Sequence, residues 1–172
     1  MELTFLVANP YLQGDYFQES VILILEHDEK GALGLIINQE SNASIADVVE
    51  GGTSQDAVLL GGPVDQKFGW CLYRYPTGME GEIKLGGNTC VSTSYLILQH
   101  LMQSLGSEYQ LIMGYSGWGA GQLEKECQEG TWLWVHMDDS LIFDTPIEER
   151  WSTAIASLGI EPAQIMPGGA KA

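Results

Sequence analysis

The residues most able to do chemistry lie in segment 111–129, which reads LIMGYSGWGAGQLEKECQE and holds four glycines within eight residues. An apolar run opens this segment and an amphipathic pattern closes it, which predicts a strand that turns into a helix. Ser116 and Trp118 fall in the predicted turn, where glycine permits positive φ or the close approach of another group. Backbone N–H groups at the start of such a helix suit an anion or a carbonyl oxygen. The segment is therefore the most site-like feature of the sequence.

Ser116 is a candidate nucleophile, because segment 114–118, GYSGW, is similar to the Gly-x-Ser-x-Gly turn of hydrolases. Trp118 replaces the second glycine of that pattern. A serine nucleophile also needs a base, and of the three histidines His136 lies in a predicted strand after the helix. A hydrolase or transferase that uses the Ser116 strand-to-helix turn would bring Ser116 within hydrogen-bond reach of His136. In the alternative interpretation the glycines permit a tight turn, against which Tyr115 and Trp118 pack.

Loop residues from other parts of the chain would form a pocket with this turn if they converge on it. Asn9 and Asn38 lie at the ends of predicted strands, where their amides could bind a ligand beside an aromatic wall. The predicted ligand-binding residues are Asn9, Asn38, Gly61, Gly62, Pro63, Tyr115, Ser116, Gly117 and Trp118. No catalytic residue is assigned. A structure that places these segments on opposite faces would contradict the hypothesis.

The spacing of glycines and metal-binding residue types argues against a cofactor. A phosphate-binding Gly-x-Gly-x-x-Gly pattern from Gly117 would need glycine at position 122, where the chain has Gln122. His136 with Asp138 and Asp139 could supply metal ligands, but adjacent aspartates after a strand are typical of a turn. We therefore expect no cofactor and no metal.

Charge and cysteine content indicate which partners and which compartment suit the chain. Seven lysines and arginines stand against 23 acidic residues among 172, a net charge of −16. Such a surface disfavours nucleic acid and anionic membranes. The longest apolar run, 21–25, is far too short to span a bilayer. The N-terminal residues do not resemble a signal peptide, and three unpaired cysteines suit a reducing cytosol, so we expect a cytoplasmic protein without a membrane segment.

Hydrophobic periodicity and turn residues predict strands and helices that mix without strict alternation. Segments 21–26 and 32–38 are joined by a short polar connection that ends in glycine, which predicts an antiparallel hairpin. Ser44 and Asp47 predict the capping box of a short helix. Further strands are predicted at 3–8, 58–60, 69–75, 109–113 and 132–137, and further helices at 92–105, after 121 and after Thr145, the last with Thr145 as N-cap. The pattern predicts an α+β fold in which about four helices pack on one mixed, curved sheet.

Several motifs along the chain are shared with a known family. They include segments 6–10 (LVANP), 61–64 (GGPV), 114–124 (GYSGWGAGQLE) and 143–146 (FDTP), and 114–124 is the most specific. Together they resemble the AlgH/YqgE family of bacterial proteins over nearly the whole chain. The resemblance implies one domain, 1–165, whose sheet curls into a partial barrel. Residues 166–172, which contain Pro-Gly-Gly, predict a flexible tail after it. The resemblance implies no established reaction, although one family member is described as a transcriptional regulator of alginate synthesis.

The favoured function hypothesis is a non-catalytic cytosolic protein that binds a small molecule or a protein partner. Because the charge of −16 disfavours DNA contact, any regulatory effect on transcription would be indirect. The hydrolase or transferase built on Ser116 is the alternative hypothesis.

Overall fold

The computed structural model describes residues 2–11 and 16–159 and confirms the α+β prediction. The strands are β1 (Leu3–Ala8), β2 (Val21–Asp28), β3 (Gly31–Ile36), β4 (Glu40–Ser44), β5 (Ala57–Leu60), β6 (Val64–Arg74), β7 (Ile83–Gly86), β8 (Thr89–Ser92), β9 (Glu108–Gly119) and β10 (Trp132–Met137). The helices are α1 (Ile45–Val48), α2 (Tyr95–Gln103), α3 (Gln122–Gln128), α4 (Ser140–Phe143) and α5 (Arg150–Ala156), and a 3-10 turn, Ile147–Glu149, precedes α5.

One curled sheet contains all of these strands. Eight of them follow the order β10-β1-β2-β3-β9-β6-β8-β7, while β4 pairs with β5, and β5 joins the sheet through a parallel pairing with β9. The other pairings within the described residues are antiparallel, so the sheet is mixed. The sheet forms a half-barrel, as the resemblance implied. The long strand β9 is its centre, because β3 and β5 share one edge of β9 and β6 pairs with the other.

Three buried apolar clusters hold the helices against the sheet. The largest cluster joins β1, β2 and β3 to α4 and α5 and includes Phe5, Leu23 and Ile155. A second cluster, with Tyr73 and Ile97, lies between α2 and the strands around β6. In the third, Trp118 and Trp132 pack with α3 against the opposite face of β1. Because both faces of the sheet are covered, strand residues of either parity are buried.

Two local predictions are confirmed in detail. Strands β2 and β3 form an antiparallel hairpin, with a bulge between Ile24 and Glu26. Ser44 accepts a hydrogen bond from the backbone N–H of Asp47, and the Asp47 carboxylate accepts one from the backbone N–H of Ser44. These reciprocal bonds form the predicted capping box of α1.

Two predicted helix starts are wrong. Helix α2 begins at Tyr95 with Ser94 as its N-cap, because residues 89–92 pair with β6 as strand β8. Thr145 does not cap α5; its hydroxyl donates to the carbonyl oxygen of Ser140. The chain passes instead through the 3-10 turn before α5 begins.

Arg150 ties the end of the sheet to the last two helices. Its side chain is buried, and its guanidinium donates to the carbonyl oxygens of Ile37, Ile142 and Thr145 and to the amide oxygen of Gln110. Burial lowers the pKa of Arg150 to about 10, so the side chain is still charged near neutral pH. A single cation therefore supplies the donors for four neutral oxygens.

None of the helices in the described part of the chain combines the length and the hydrophobicity needed to cross a membrane. The predicted tail, 166–172, and the end of the predicted domain at 165 lie outside the described residues.

Candidate functional site

The segment does lead from a strand into a helix, but the turn lies at 120–121 and not at Ser116 and Trp118, where the sequence predicted it. Strand β9 continues through the glycine-rich segment to Gly119, and α3 begins only after Gly121, which has a φ of 74°. Residues 116–119 pair in antiparallel register with β3, from Ser116 opposite Gly34 to Gly119 opposite Gly31. A central strand has no free helix start beside Ser116, so the proposed anion-binding turn does not form there.

Four of the predicted site residues are in contact, but their contacts are close backbone packing and leave no pocket between them. They are Gly61, Gly62, Tyr115 and Ser116. An added Cβ on Gly62 would lie 2.2 Å from the carbonyl oxygen of Tyr115, and one on Gly61 would lie 2.5 Å from that of Gly114. Ser116 is 1% exposed, and its hydroxyl donates to the carbonyl oxygen of Gly61 at 3.1 Å. The glycines therefore let the connection after β5 cross β9 closely.

The other predicted residues are separated from this crossing. The Asn9 amide donates to Gly130, and the Asn38 amide donates to Glu19 while its oxygen accepts from Val21, so both side chains connect loops. Pro63 and Gly117 are exposed. Asn38 does line a polar groove of about 640 Å³ beside Trp151. The structure thus does not bring the nine residues together in one pocket.

Trp118 fixes α3 to the sheet. The indole N–H of Trp118 and that of Trp132 donate to the same oxygen of Glu126, at 3.0 and 2.9 Å. The two rings also meet edge to face, with centroids 6.2 Å apart. The indole of Trp118 is 8% exposed, so it forms a packed contact in this structure.

The structure does not provide the contact between Ser116 and His136 that the hydrolase or transferase hypothesis requires. Ser116 is bonded to Gly61, whereas the Nδ1 atom of His136 lies 3.3 Å from the Thr4 hydroxyl. Strands β1, β2 and β3 lie between the strands that carry the two residues. The required bond between Ser116 and His136 is thus replaced by two unrelated bonds.

The most site-like concavity lies elsewhere, between α1 and α2. It is a cleft of about 410 Å³ whose lining includes Val48, Tyr95, Leu98, Leu111 and Met113. Val48 and Tyr95 are each 50% exposed, so apolar side chains form its rim. Exposed apolar surface beside a concavity is typical of a binding site.

A second cleft, of about 260 Å³, continues along the same helix. Its lining includes Gln99, Met102 and Gln103 of α2 and Thr53 and Ser54 of the loop after α1. Glu50 lines both clefts, so they are neighbours on the surface beside α2. We call the two clefts together the α2 groove.

Cys71 is the thiol in the lining of the first cleft. It is buried, and burial raises the pKa of its thiol to about 12. At neutral pH the side chain is protonated and is a poor nucleophile. Among the described residues no cluster of three or more histidine, cysteine or acidic side chains has the geometry to hold a metal ion. The described lining of the α2 groove therefore offers apolar contacts, hydrogen bonds and the carboxylate of Glu50.

The sequence does not identify this groove, because the helical spacing of Tyr95, Leu98, Leu101, Met102 and Leu105 predicts one buried stripe. Tyr95 and Leu105 are instead exposed. The buried residues of α2 are Ile97, Leu98 and Leu101. The available signal was the excess of apolar residues around α2, since the run Tyr95–Leu98 is too wide for one buried stripe.

Comparisons with known proteins agree with the architecture. The UPF0301 protein of Anaeromyxobacter dehalogenans is 38% identical, and the match covers 96% of this chain and 91% of that protein. The UPF0301 protein of Vibrio cholerae is 39% identical, with 96% of each chain covered.

Solved structures give the same result. The solution structure of AlgH from Pseudomonas aeruginosa is similar with a TM-score of 0.78 at 32% identity, covering 99% of this chain and 95% of that one. A crystal structure of a protein from Corynebacterium diphtheriae, 21% identical, shares the fold with a TM-score of 0.77 over 90% of this chain and 85% of that chain. The family model described as AlgH-like matches residues 5–163. The chain therefore belongs to the AlgH-like family, as its motifs indicated.

Proposed function

We propose that this chain is a non-catalytic cytosolic protein that acts by binding a small molecule or a protein partner in the α2 groove. The observation that carries the proposal is the apolar first cleft of the groove, about 410 Å³, with half-exposed Val48 and Tyr95 at its rim. Exposed apolar side chains around a concavity lose contact with water when a partner covers them, and this favours binding.

The chemistry of the lining supports binding without catalysis. Cys71 is held as a thiol, and Glu50 is the ionisable carboxylate that both clefts share. No histidine is among the described residues that line the two clefts. A nucleophile with an adjacent base, which covalent catalysis requires, is thus missing from the described lining.

The placement of the basic residues supports an indirect effect on any transcriptional process. Arg74 is bonded to three carboxylates, those of Asp139, Asp144 and Glu108, and Arg150 is buried. Neither arginine is available for a DNA phosphate, and the whole chain carries a charge of −16. Contact with the DNA backbone depends on clustered basic side chains.

The test is to map fragment binding on the isotopically labelled protein by amide NMR spectra. We expect uncharged apolar fragments to shift resonances of α2 and of residues 48–54. Tyr95→Ala should remove these shifts, while Tyr75→Ala should keep them, because Tyr75 is equally exposed, at 55% against 50%, but does not line the groove. Shifts that map only to other surfaces, or that survive Tyr95→Ala unchanged, would contradict the proposal.

A further inference from the structure

The α2 groove is longer than a pocket for one small group. Its lining follows helix α2 from Tyr95 to Gln103, nine residues, which corresponds to roughly 13 Å at the usual helical rise. On the opposite side the groove is bounded by α1 and by the loop after it. A linear occupant of three to four residues in extended form would match this length of about 13 Å.

The two halves of the groove differ in chemistry. The first cleft presents aliphatic and aromatic side chains, among them Val48, Leu98 and Met113. The second presents the side-chain amides of Gln99 and Gln103 and the hydroxyl of Thr53. Amides and hydroxyls both donate and accept hydrogen bonds, so they can pair with the N–H and C=O groups of a peptide backbone.

The charge in the described lining of the α2 groove has one sign. Glu50 lines both clefts, and no lysine or arginine is among the described residues that line either of them. Asp47, which precedes the lining residue Val48 on α1, is a second exposed carboxylate but does not itself line the groove. Its pKa is lowered by hydrogen bonds from the backbone and side chain of Ser44. An occupant with a cation beside Glu50 is favoured, and an anionic occupant is repelled.

We propose that the α2 groove binds a basic linear segment of a partner protein. An apolar side chain of that segment fills the cleft between Val48 and Leu98, a lysine or arginine lies beside Glu50, and the backbone runs along Gln99 and Gln103. This inference rests on the proposed function and names its partner. The charge of −16 on the whole chain attracts the same kind of segment from a distance.

The test uses three fluorescent peptides of equal length and fluorescence anisotropy with the full chain. One peptide combines leucine and lysine, the second replaces leucine by serine, and the third replaces lysine by glutamate. We expect the leucine–lysine peptide to bind at least about tenfold more tightly than either of the others, since it alone supplies both the apolar anchor and the cation. Equal binding of the two lysine peptides would reduce the effect to general charge attraction and overturn the proposal.

Matched variants locate the binding. Tyr95→Ala should weaken binding of the leucine–lysine peptide about tenfold, as expected for an aromatic side chain that contacts the apolar anchor of the peptide, and Tyr75→Ala should not. Glu50→Gln should weaken it about fivefold at low salt, whereas Glu29→Gln, which removes the same charge from the exposed β2–β3 turn, should change it little. Equal effects of Glu50→Gln and Glu29→Gln would contradict a specific cation site.

The fragment experiment separates the two proposals. If uncharged fragments map to the groove but the leucine–lysine peptide shows no preference over the glutamate peptide, the groove is a binding site and the basic partner is wrong. If neither fragments nor peptides respond to Tyr95→Ala, both proposals fail.

Discussion

The negative charge of Glu82 stabilises the loop between β6 and β7. The carboxylate accepts hydrogen bonds from the Tyr73 hydroxyl, from the N–H and hydroxyl of Thr77 and from the N–H of Gly78. Burial by itself would raise the pKa of Glu82, but these hydrogen bonds outweigh it and lower the pKa from 4.5 to about 2. The ionised form therefore closes the loop between β6 and β7.

Glu82→Gln should lower the stability of the fold and reduce its sensitivity to acid. Since the folded-state pKa lies below the unfolded value, the carboxylate stabilises the fold fully above pH 4.5, and this contribution is lost as the pH falls towards 2. Allowing for screening by solvent, we expect a loss of about 1–2 kcal/mol at pH 7. Urea unfolding at pH 7 and at pH 3 would measure it. A difference between variant and wild type that is equal at both pH values would contradict the assignment.

Substitution of Arg150 tests hydrogen bonds from a buried cation to neutral oxygens, and not to carboxylates. Arg150→Met should lower the free energy of unfolding by about 3 kcal/mol or more, since several buried oxygens would lose their donor and each unmet group costs about 1–3 kcal/mol. Arg150→Lys keeps the charge but has fewer hydrogen-bond donors, so its free energy of unfolding should lie between those of wild type and Arg150→Met. Urea denaturation measures all three proteins. Lys125→Met, at an exposed position of α3, is the control and should stay within about 0.5 kcal/mol of wild type.

At the scale of elements, the connection after β5, residues 61–63, organises the sheet by crossing β9. The carbonyl oxygen of Gly61 accepts from the backbone N–H of Ile36 at 2.9 Å, and its N–H donates to Met113 at 2.7 Å. The chain then passes over Gly114, whose φ is 80°. This crossing lets β3 and β5 share one edge of β9.

Gly62→Ala should prevent or severely weaken folding. Its φ is 154°, and an added Cβ would lie 2.2 Å from the backbone of Tyr115, which cannot move without disturbing β9. Gly121→Ala is the matched control, because its φ is 74° but nothing lies within 4 Å of the added Cβ, and it should cost only about 1–2 kcal/mol. Circular dichroism and thermal unfolding compare the two variants. Similar losses of stability in the two variants would show that the positive φ alone, without the close contact to Tyr115, explains why residue 62 is glycine.

Local sequence signals predicted the elements whose partners are near in the chain. The β2–β3 hairpin and the capping box of α1 depend on residues within a few positions of each other, so turn and capping chemistry sufficed. The segment 114–121 failed for the opposite reason. The glycines favour a local turn over the whole segment, but only Gly121 lies at the start of α3, whereas Gly114 packs against Gly61 and Gly62, more than fifty residues earlier. The α2 groove was missed because exposure of Tyr95 depends on how α2 packs on β6.

For the molecule as a whole, the net charge of −16 repels polyanions such as DNA and attracts cationic partners. Asp and Glu outnumber Lys and Arg by 23 to 7, and Arg74 and Arg150 are engaged in internal bonds. A protein that neutralises DNA phosphates needs several free cations on one surface. The remaining lysines are single residues at separate places in the sequence.

We therefore expect no complex with short duplex DNA, even where electrostatic attraction is strongest. Anisotropy of a labelled 20-base-pair duplex should stay unchanged with about 50 mM salt, because any phosphate contacts are strengthened at low salt and the acidic surface still repels the duplex. The leucine–lysine peptide should bind under the same conditions, which provides the positive control for folded, active protein. Duplex binding that weakens as salt is raised would show a basic surface that the folded chain does not present, and it would favour direct regulation of transcription over action through a partner.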